Sequence, residues 1–206
     1  MDNTPMDNLF YEKDYFALGK YLICGVDEVG RGPLAGPVMA GAVIPNFKKM
    51  IKGVTDSKVL TDKFRREIYP EIKATAVAAA TATVGHDVID EINILNATKQ
   101  AMKSAVFSLP TQPEVLFIDA LKLDTGMAEV SIIHGDALSY SIGMASVLAK
   151  VERDNLMIKY AELYPEYGFE DHKGYGTRHH IEMIKKYGPC PIHRKTFIRK
   201  ILEGRE

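Results

Sequence analysis

The chain has little cysteine: Cys24 and Cys190 are the only two among 206 residues. Isolated thiols without metal-ligand spacing read as reduced residues, not as a disulfide framework or a zinc site. Apolar runs of membrane-spanning length are missing too. The start, "MDNTPMDNLFYEKDYF", is acidic and has no signal-peptide core. Together these absences argue against a membrane or secreted protein, and a cytoplasmic location is expected. Internal repeats, low-complexity tracts and domain linkers are also lacking, so a single domain over residues 1–206 is expected. Strong net charge is absent, at a formal −1, but the balance is uneven. From Glu170 to Glu206 there are nine Lys/Arg against five Asp/Glu, while the remainder carries seventeen against twenty-two. Four of six histidines lie in the same tail. A basic tail on an acidic body fits a polyanionic partner, and equally fits a solvated helical face.

What is present is an alternation of apolar runs and helical patterns. Leu22–Val26 and then "PVMAGAVIP", closed by Pro45, read as strands. "LTDKFRREIYPEI" reads as a helix capped by Thr61, with Phe64, Ile68 and Ile72 at helical spacing. "ATAVAAATATVG" mixes helix-forming alanines with threonine, valine and a terminal glycine, and is assigned as a strand. "HDVIDEINILNATKQAMKSAVFSL" reads as a helix broken near Asn93, with Leu95, Thr98, Met102, Val106 and Leu109 on one face. "EVLFIDAL" reads as a strand with Asp119 at its C-terminal edge, and "MAEVSIIHGD" as another, ending at Asp136. A long helix over "SYSIGMASVLAKVERDNLMIKYAELY" and a shorter one at "TRHHIEMIKKYG", stopped by Gly188, complete the chain. This order predicts an α/β layer fold with a mixed sheet.

Three strand-like runs end in acid: "ICGVDE", "LFIDA" and "SIIHGD". Charged residues are seldom buried unless paired or metal-bound. Asp27, Glu28, Asp119 and Asp136 converging at one sheet edge would repel one another unless a cation neutralised them. An all-oxygen donor set favours Mg²⁺ or Mn²⁺ over zinc. Two such ions clamp the attacking and leaving oxygens of a phosphodiester. Three unrelated strand-end acids are the plain alternative. Successive strand residues face opposite ways, so a bend between residues 27 and 32 is expected to bring Asp27 and Glu28 to one site. The "GRG" at Gly30, Arg31 and Gly32 lets backbone amides approach phosphate or sugar oxygens while Arg31 adds a charge-assisted bond. It is not a Walker A loop. In "DHKGYGTRHH", Tyr175 stands between glycines and near cations, placed to stack on a base or sugar or simply to pack a turn. His134 reads as a proton shuttle or as a structural residue.

Taken together, "GVDEVGRGPLAGPV", "DSKVLT", "EINILNAT", "FIDALKL", "HGDALSYSIGMASVLAKVERD", "YGFEDHKGYGT" and "HRKTF" resemble the ribonuclease HII family, in family order from about Leu22 to Phe197. The resemblance implies a ribonuclease H-like fold: a central five-stranded mixed sheet flanked by helices, core about 20–165. A helical substrate-binding extension follows over about 166–206. It implies metal-dependent hydrolysis of the RNA strand in RNA–DNA hybrids, and incision 5′ to single ribonucleotides in duplex DNA. The products carry 3′-hydroxyl and 5′-phosphate ends. Asp27, Glu28, Asp119 and Asp136 match the catalytic, metal-binding carboxylates, and two Mg²⁺ or Mn²⁺ ions are expected. Gly30, Arg31 and Gly32 match the residues that read the 2′-hydroxyl, Tyr175 the tyrosine that stacks on the following sugar, and Lys58 a phosphate contact. Ser146, Lys150 and Arg194 match recurrent positions, as phosphate contacts or as packing.

Gly143 and Met144 depart from the small alanines common in the family, which puts local packing in question. No extra N-terminal substrate-binding domain precedes the first motif, which argues against the sister type, ribonuclease HIII. The tail "FIRKILEGRE" has no glutamine to begin a sliding-clamp peptide, so no clamp binding is expected through it, and a monomer is. The competing readings are a non-catalytic RNA–DNA junction-binding protein and a metal-dependent DNA resolvase.

Overall fold

A computed structural model of the chain describes residues 8–54, 57 and 59–204. Five strands form one mixed sheet: β1 (Ile23–Val29), β2 (Val38–Ile44), β3 (Ala78–Val84), β4 (Val115–Asp119) and β5 (Glu129–Ile132). Their order is β3-β2-β1-β4-β5. β1–β2 and β2–β3 are antiparallel, whereas β1–β4 and β4–β5 are parallel. β1 reaches its parallel neighbour β4 through β2, β3 and two intervening helices, whereas β4 is joined to β5 by residues 120–128, which contain no helix.

Helix α1 (Phe10–Ala17) precedes the sheet, α2 (Asp62–Thr75) joins β2 to β3, and α3 (His86–Phe107) joins β3 to β4. After β5 come α4 (Gly135–Leu138), α5 (Tyr140–Leu163), α6 (Phe169–His172), α7 (Arg178–Tyr187) and α8 (Lys195–Leu202). Among the described residues no helix is long and apolar enough to cross a membrane. Both cysteines are free.

Local signals account for many boundaries. Thr61 caps α2 by accepting the Phe64 amide at 3.2 Å. The break in α3 falls at Asn93, with φ 67° and ψ 164°, and its side chain accepts the Asn96 amide at 3.1 Å to restart the helix. Thr98, Met102 and Val106 are buried on the inner face of α3, but Leu95, in the first turn after the break, is exposed. Gly188 follows α7 at φ 76°.

Strand alternation divides the core. Cys24 and Val26 of β1, with Leu116 and Ile118 of β4, pack with Met102, Ala105 and Val106 of α3. Ile23, Val115 and Phe117 pack on the opposite face with Ile132 and Ile142. Each such side chain, fully buried, contributes about 1.5–3 kcal/mol. On that second face α5 lies directly on the strands. A Cβ at Gly25 would stand 2.0 Å from the Ser141 carbonyl carbon, and one at Gly41 would stand 2.5 Å from the Ala145 oxygen. Met144 is buried in the apolar cluster holding Val43, Ile68 and Ile72, so the methionine has its room.

The sequence reading assigned no element before β1. Helix α1 is nonetheless tied down by its buried Glu12, which accepts the Ser139 hydroxyl at 2.6 Å and the Ser141 amide at 3.0 Å. Burial raises the Glu12 carboxyl above its ordinary range.

Candidate active site

On the α5 face, the two-residue period that places Ile23 and Gly25 also places Asp27. On β4 it places Asp119 in line with Val115 and Phe117. Since Val26 pairs with Ile118 where the parallel ladder ends, Asp27 and Asp119 are neighbours at the carboxyl ends of adjacent strands. The Asp27 carboxyl is buried and held well above the usual carboxylate range. Burial is the largest cause, followed by the charges of Glu28 and then Asp119. Its partners are the Glu28 amide, donating at 2.7 Å, and the Ser146 hydroxyl on α5. Ser146 in turn is bonded to the Ser57 hydroxyl at 2.8 Å. Ser146 therefore touches a carboxylate.

The expected strand end at Asp136 is corrected. β5 stops at Ile132, and the exposed His134 takes a left-handed conformation, φ 56°, which turns the chain into α4. Gly135 then donates its amide to Asp119 Oδ1 at 2.7 Å, and Asp136 follows in the first turn of the helix, buried. The acid reaches the Asp119 neighbourhood from a helical turn.

The bend expected to bring Asp27 and Glu28 to one site is not present between them: the chain turns only at Gly30, φ 92°, after both acids. β1 keeps its register with β2 through Asp27↔Gly41, Glu28↔Ala40 and Val29↔Met39. Asp27 and Glu28 thus keep opposite faces of the strand, and it is Glu28 that lines the cleft beyond. That cleft, of about 380 Å³, is bounded by Glu28, Gly30, Arg31, Gly32, Ser57, Arg65, Lys150 and Tyr175. Arg31 pairs with Glu28 at 3.6 Å. Lys150 pairs with Asp154 at 2.8 Å, while burial lowers its ammonium below the ordinary lysine range. Lys58 lies outside the described residues.

Two buried arginines shape the loop. Arg194 donates to the carbonyls of Gly36 at 3.0 Å, Arg31 at 2.8 Å and Gly30 at 2.5 Å. Arg153 donates to those of Pro37 at 3.0 Å, Lys173 at 3.1 Å and Ala35 at 3.4 Å. The C=O and N–H of a trans peptide point opposite ways. Drawing carbonyls 30 and 31 inward therefore turns the amides of Arg31 and Gly32 away from the arginines. Arg194 is a support beneath the loop, and Arg153 was not singled out in the sequence. Among Lys150, Glu152 and Asp154 it reads as one more charge on a solvated helical face. Tyr175 closes the other wall, exposed, with its ring 3.8 Å from where a Gly32 Cβ would stand.

Among the described residues, no three acidic, histidine or cysteine side chains form a ready metal cage. The site still fits a divalent cation on its chemistry. Its candidate donors are carboxylate oxygens only, and Asp27 is raised by two like charges that a cation would neutralise.

A ribonuclease HII family model matches residues 24–200. A ribonuclease HII of Caldicellulosiruptor bescii is 51% identical over 185 residues, covering 89% of this chain and 90% of that protein. A ribonuclease HII of Acetivibrio thermocellus is 50% identical over 201 residues, covering 97% and 78%. Among solved structures, the ribonuclease H2 of Pyrococcus horikoshii OT3 superposes with a TM-score of 0.73 at 28% identity, covering 88% of this chain and 97% of that one. With the sheet order, the paired aspartates at the β1 and β4 ends and the arginine-held loop already in place, these matches settle the family: the chain belongs to the ribonuclease HII nucleases.

Proposed function

We propose that this chain is an endoribonuclease that hydrolyses the RNA strand of RNA–DNA hybrids and incises 5′ to single ribonucleotides embedded in duplex DNA. The observation that carries this reading is the cleft itself. One space is bounded by a carboxylate of the acidic group, by the Gly-Arg-Gly loop and by Tyr175. Asp27, Glu28, Asp119 and Asp136 would hold Mg²⁺ or Mn²⁺, which when bound lowers the pKa of water and neutralises developing charge on the leaving oxygen. Hydrolysis breaks the bond between phosphorus and the 3′ oxygen, leaving 3′-hydroxyl and 5′-phosphate ends.

The chain's own groups do the selecting. Only RNA offers a 2′-hydroxyl, both donor and acceptor. The outward amides of Arg31 and Gly32 are suited to receive its oxygen, and the Tyr175 ring to pack on the next sugar. Arg65 and Lys150 place positive charge in the cleft for the phosphate backbone. Residues 166–206 serve as the substrate-binding extension, since they deliver Tyr175 and Arg194.

The test is cleavage mapping in Mg²⁺ or Mn²⁺ on a DNA duplex with one ribonucleotide, beside an all-DNA duplex and a long hybrid. A single cut on the 5′ side of the ribonucleotide, and none in all-DNA, is expected. Equal cutting of all-DNA, or none at the ribonucleotide, overturns the reading.

A further inference from the structure

Tyr175 sits between α6 and α7, outside any helix or strand, so something else must hold its backbone. Its carbonyl accepts the Thr177 amide at 2.8 Å and His180 Nδ1 at 2.9 Å. His180 is wholly buried, and its Nε2 lies 3.0 Å from Nε2 of the buried His193. His193 Nδ1 lies 2.9 Å from the Cys190 amide, with Cys190 Sγ at 3.1 Å and the Cys190 carbonyl at 3.3 Å.

These contacts fix the protons. A carbonyl only accepts, so His180 Nδ1 carries hydrogen. The Cys190 amide only donates and stands nearer to His193 Nδ1 than the Cys190 carbonyl does, so Nδ1 carries none. His193 Nε2 therefore donates to His180 Nε2, and both rings are neutral. Burial pushes each of them down to about 4, in keeping with that assignment. His172 stacks on His180 with centroids 4.4 Å apart, and it is locked in the same manner. It accepts the Gly174 amide on Nδ1 at 3.2 Å and donates from Nε2 to the Tyr167 carbonyl at 2.8 Å.

The next residue after His193 is Arg194, whose side chain holds the Gly30 and Arg31 carbonyls and whose amide donates to Leu34 at 2.9 Å. One dipeptide thus reaches both walls of the cleft. We propose that His180 and His193 are positioning residues: a tautomer-locked pair that sets Tyr175 in register with the Gly-Arg-Gly loop and thereby governs how tightly the nucleotide beyond the cut is held. This rests on the reading of Tyr175 given above.

Two measurements test it. In ¹⁵N-histidine NMR of the full chain at pH 7, His180 is expected as the Nδ1–H tautomer and His193 as the Nε2–H tautomer. The reverse tautomers, or a charged ring, overturn the relay whether or not the protein cleaves anything. In kinetics, His180→Asn keeps an amide where Nδ1 stood, and His180→Gln moves it to the Nε2 position. His180→Gln is expected to raise KM on the single-ribonucleotide duplex about three- to tenfold, the loss of one hydrogen bond, with kcat within about twofold. His180→Asn stays within about twofold for both constants. In a Tyr175→Ala background, His180→Gln adds nothing further. Equal effects of the two variants, or an undiminished effect without the tyrosine ring, overturn the proposal. Should His180→Gln not fold, His193→Gln against His193→Asn repeats the comparison, with Gln the tolerated partner. If Tyr175→Ala alone leaves KM unchanged, the parent reading fails and takes this one with it, while the NMR tautomers still report on the relay.

Discussion

The two glycines of the Gly-Arg-Gly loop have different work, and substituting each with alanine separates it. Gly30 is at φ 92°, and a Cβ there would stand 2.2 Å from Arg153 Nε and 2.7 Å from its Cδ. Arg153 has nowhere to retreat, since it is buried and its guanidinium is tied to three carbonyls. A left-handed alanine costs about 1–2 kcal/mol. Displacing Arg153 far enough to lose one charge-assisted bond costs about 1.5–3 kcal/mol more. Gly30→Ala is therefore expected to lose roughly 2.5–5 kcal/mol, lowering Tm by about 5–20 °C in a chain of this size. At Gly32 the added Cβ would meet only Tyr175 Cε1 at 3.8 Å, an ordinary contact, and its φ is not in the left-handed region. Gly32→Ala should keep Tm within about 2 °C of wild type, since such a change is neutral to mildly stabilising. Its methyl would nevertheless narrow the gap between loop and tyrosine, and kcat/KM at a single ribonucleotide should fall at least about tenfold. Differential scanning calorimetry and the cleavage assay, run on both variants, decide the matter. A wild-type Tm for Gly30→Ala, or equal thermal losses for the two, would refute the assignment of Gly30 to structure and Gly32 to substrate.

Three further outcomes are expected. Asp27 has a raised carboxyl, so it favours folding when protonated, below its unfolded value of 3.8, and opposes folding progressively as pH rises above it. Without divalent ions, Asp27→Asn should thus melt higher than wild type by a margin that grows with pH. Mn²⁺ should raise the Tm of wild type but not of the variant, and cleavage should be lost; a variant less stable at pH 8 would contradict this. Arg194→Met strips donors from three carbonyls while removing a buried charge, for a net loss of about 2–4 kcal/mol in urea unfolding. Arg194→Lys should recover little, because one flexible ammonium does not span what a planar guanidinium does, and full recovery would argue against the loop-holding role. Asn93→Ala should lose about 2–3 kcal/mol by the same measurement, about 1 from the cap that restarts α3 and about 1–2 from a positive φ that alanine adopts less readily than asparagine, and an unchanged midpoint would exclude that cap.

Where signals are local, the sequence could be read directly. The Thr61 cap, the Asn93 break, the Gly188 stop and the apolar strands all depend on neighbours within a few residues. Asp119 at a strand end was readable for the same reason. Asp136 was misplaced on a strand because the left-handed turn at His134 is stabilised by a distant partner, Asp119, through the Gly135 amide. Helix α1 gave no signal because the side chain that anchors it is a glutamate. Its serine partners lie more than 120 residues away. Arg153 and Arg194 were hardest of all. An arginine in a charged helical stretch or a basic tail reads as solvated or as contacting an anion, and only the folded chain brings six carbonyls to two guanidinium groups.

Those guanidinium groups have a consequence for ionic strength. Among the described residues neither Arg153 nor Arg194 forms an ion pair with a carboxylate; peptide carbonyls solvate both, and Arg194 also lies over the Phe197 ring. Counter-ions do not reach them, and charge sealed under a loop is screened far less than charge on a surface lysine. Added salt therefore weakens their grip on the loop carbonyls far less than it weakens a surface ion pair. The shape of the loop should thus outlast the salt that strips a nucleic acid from surface lysines.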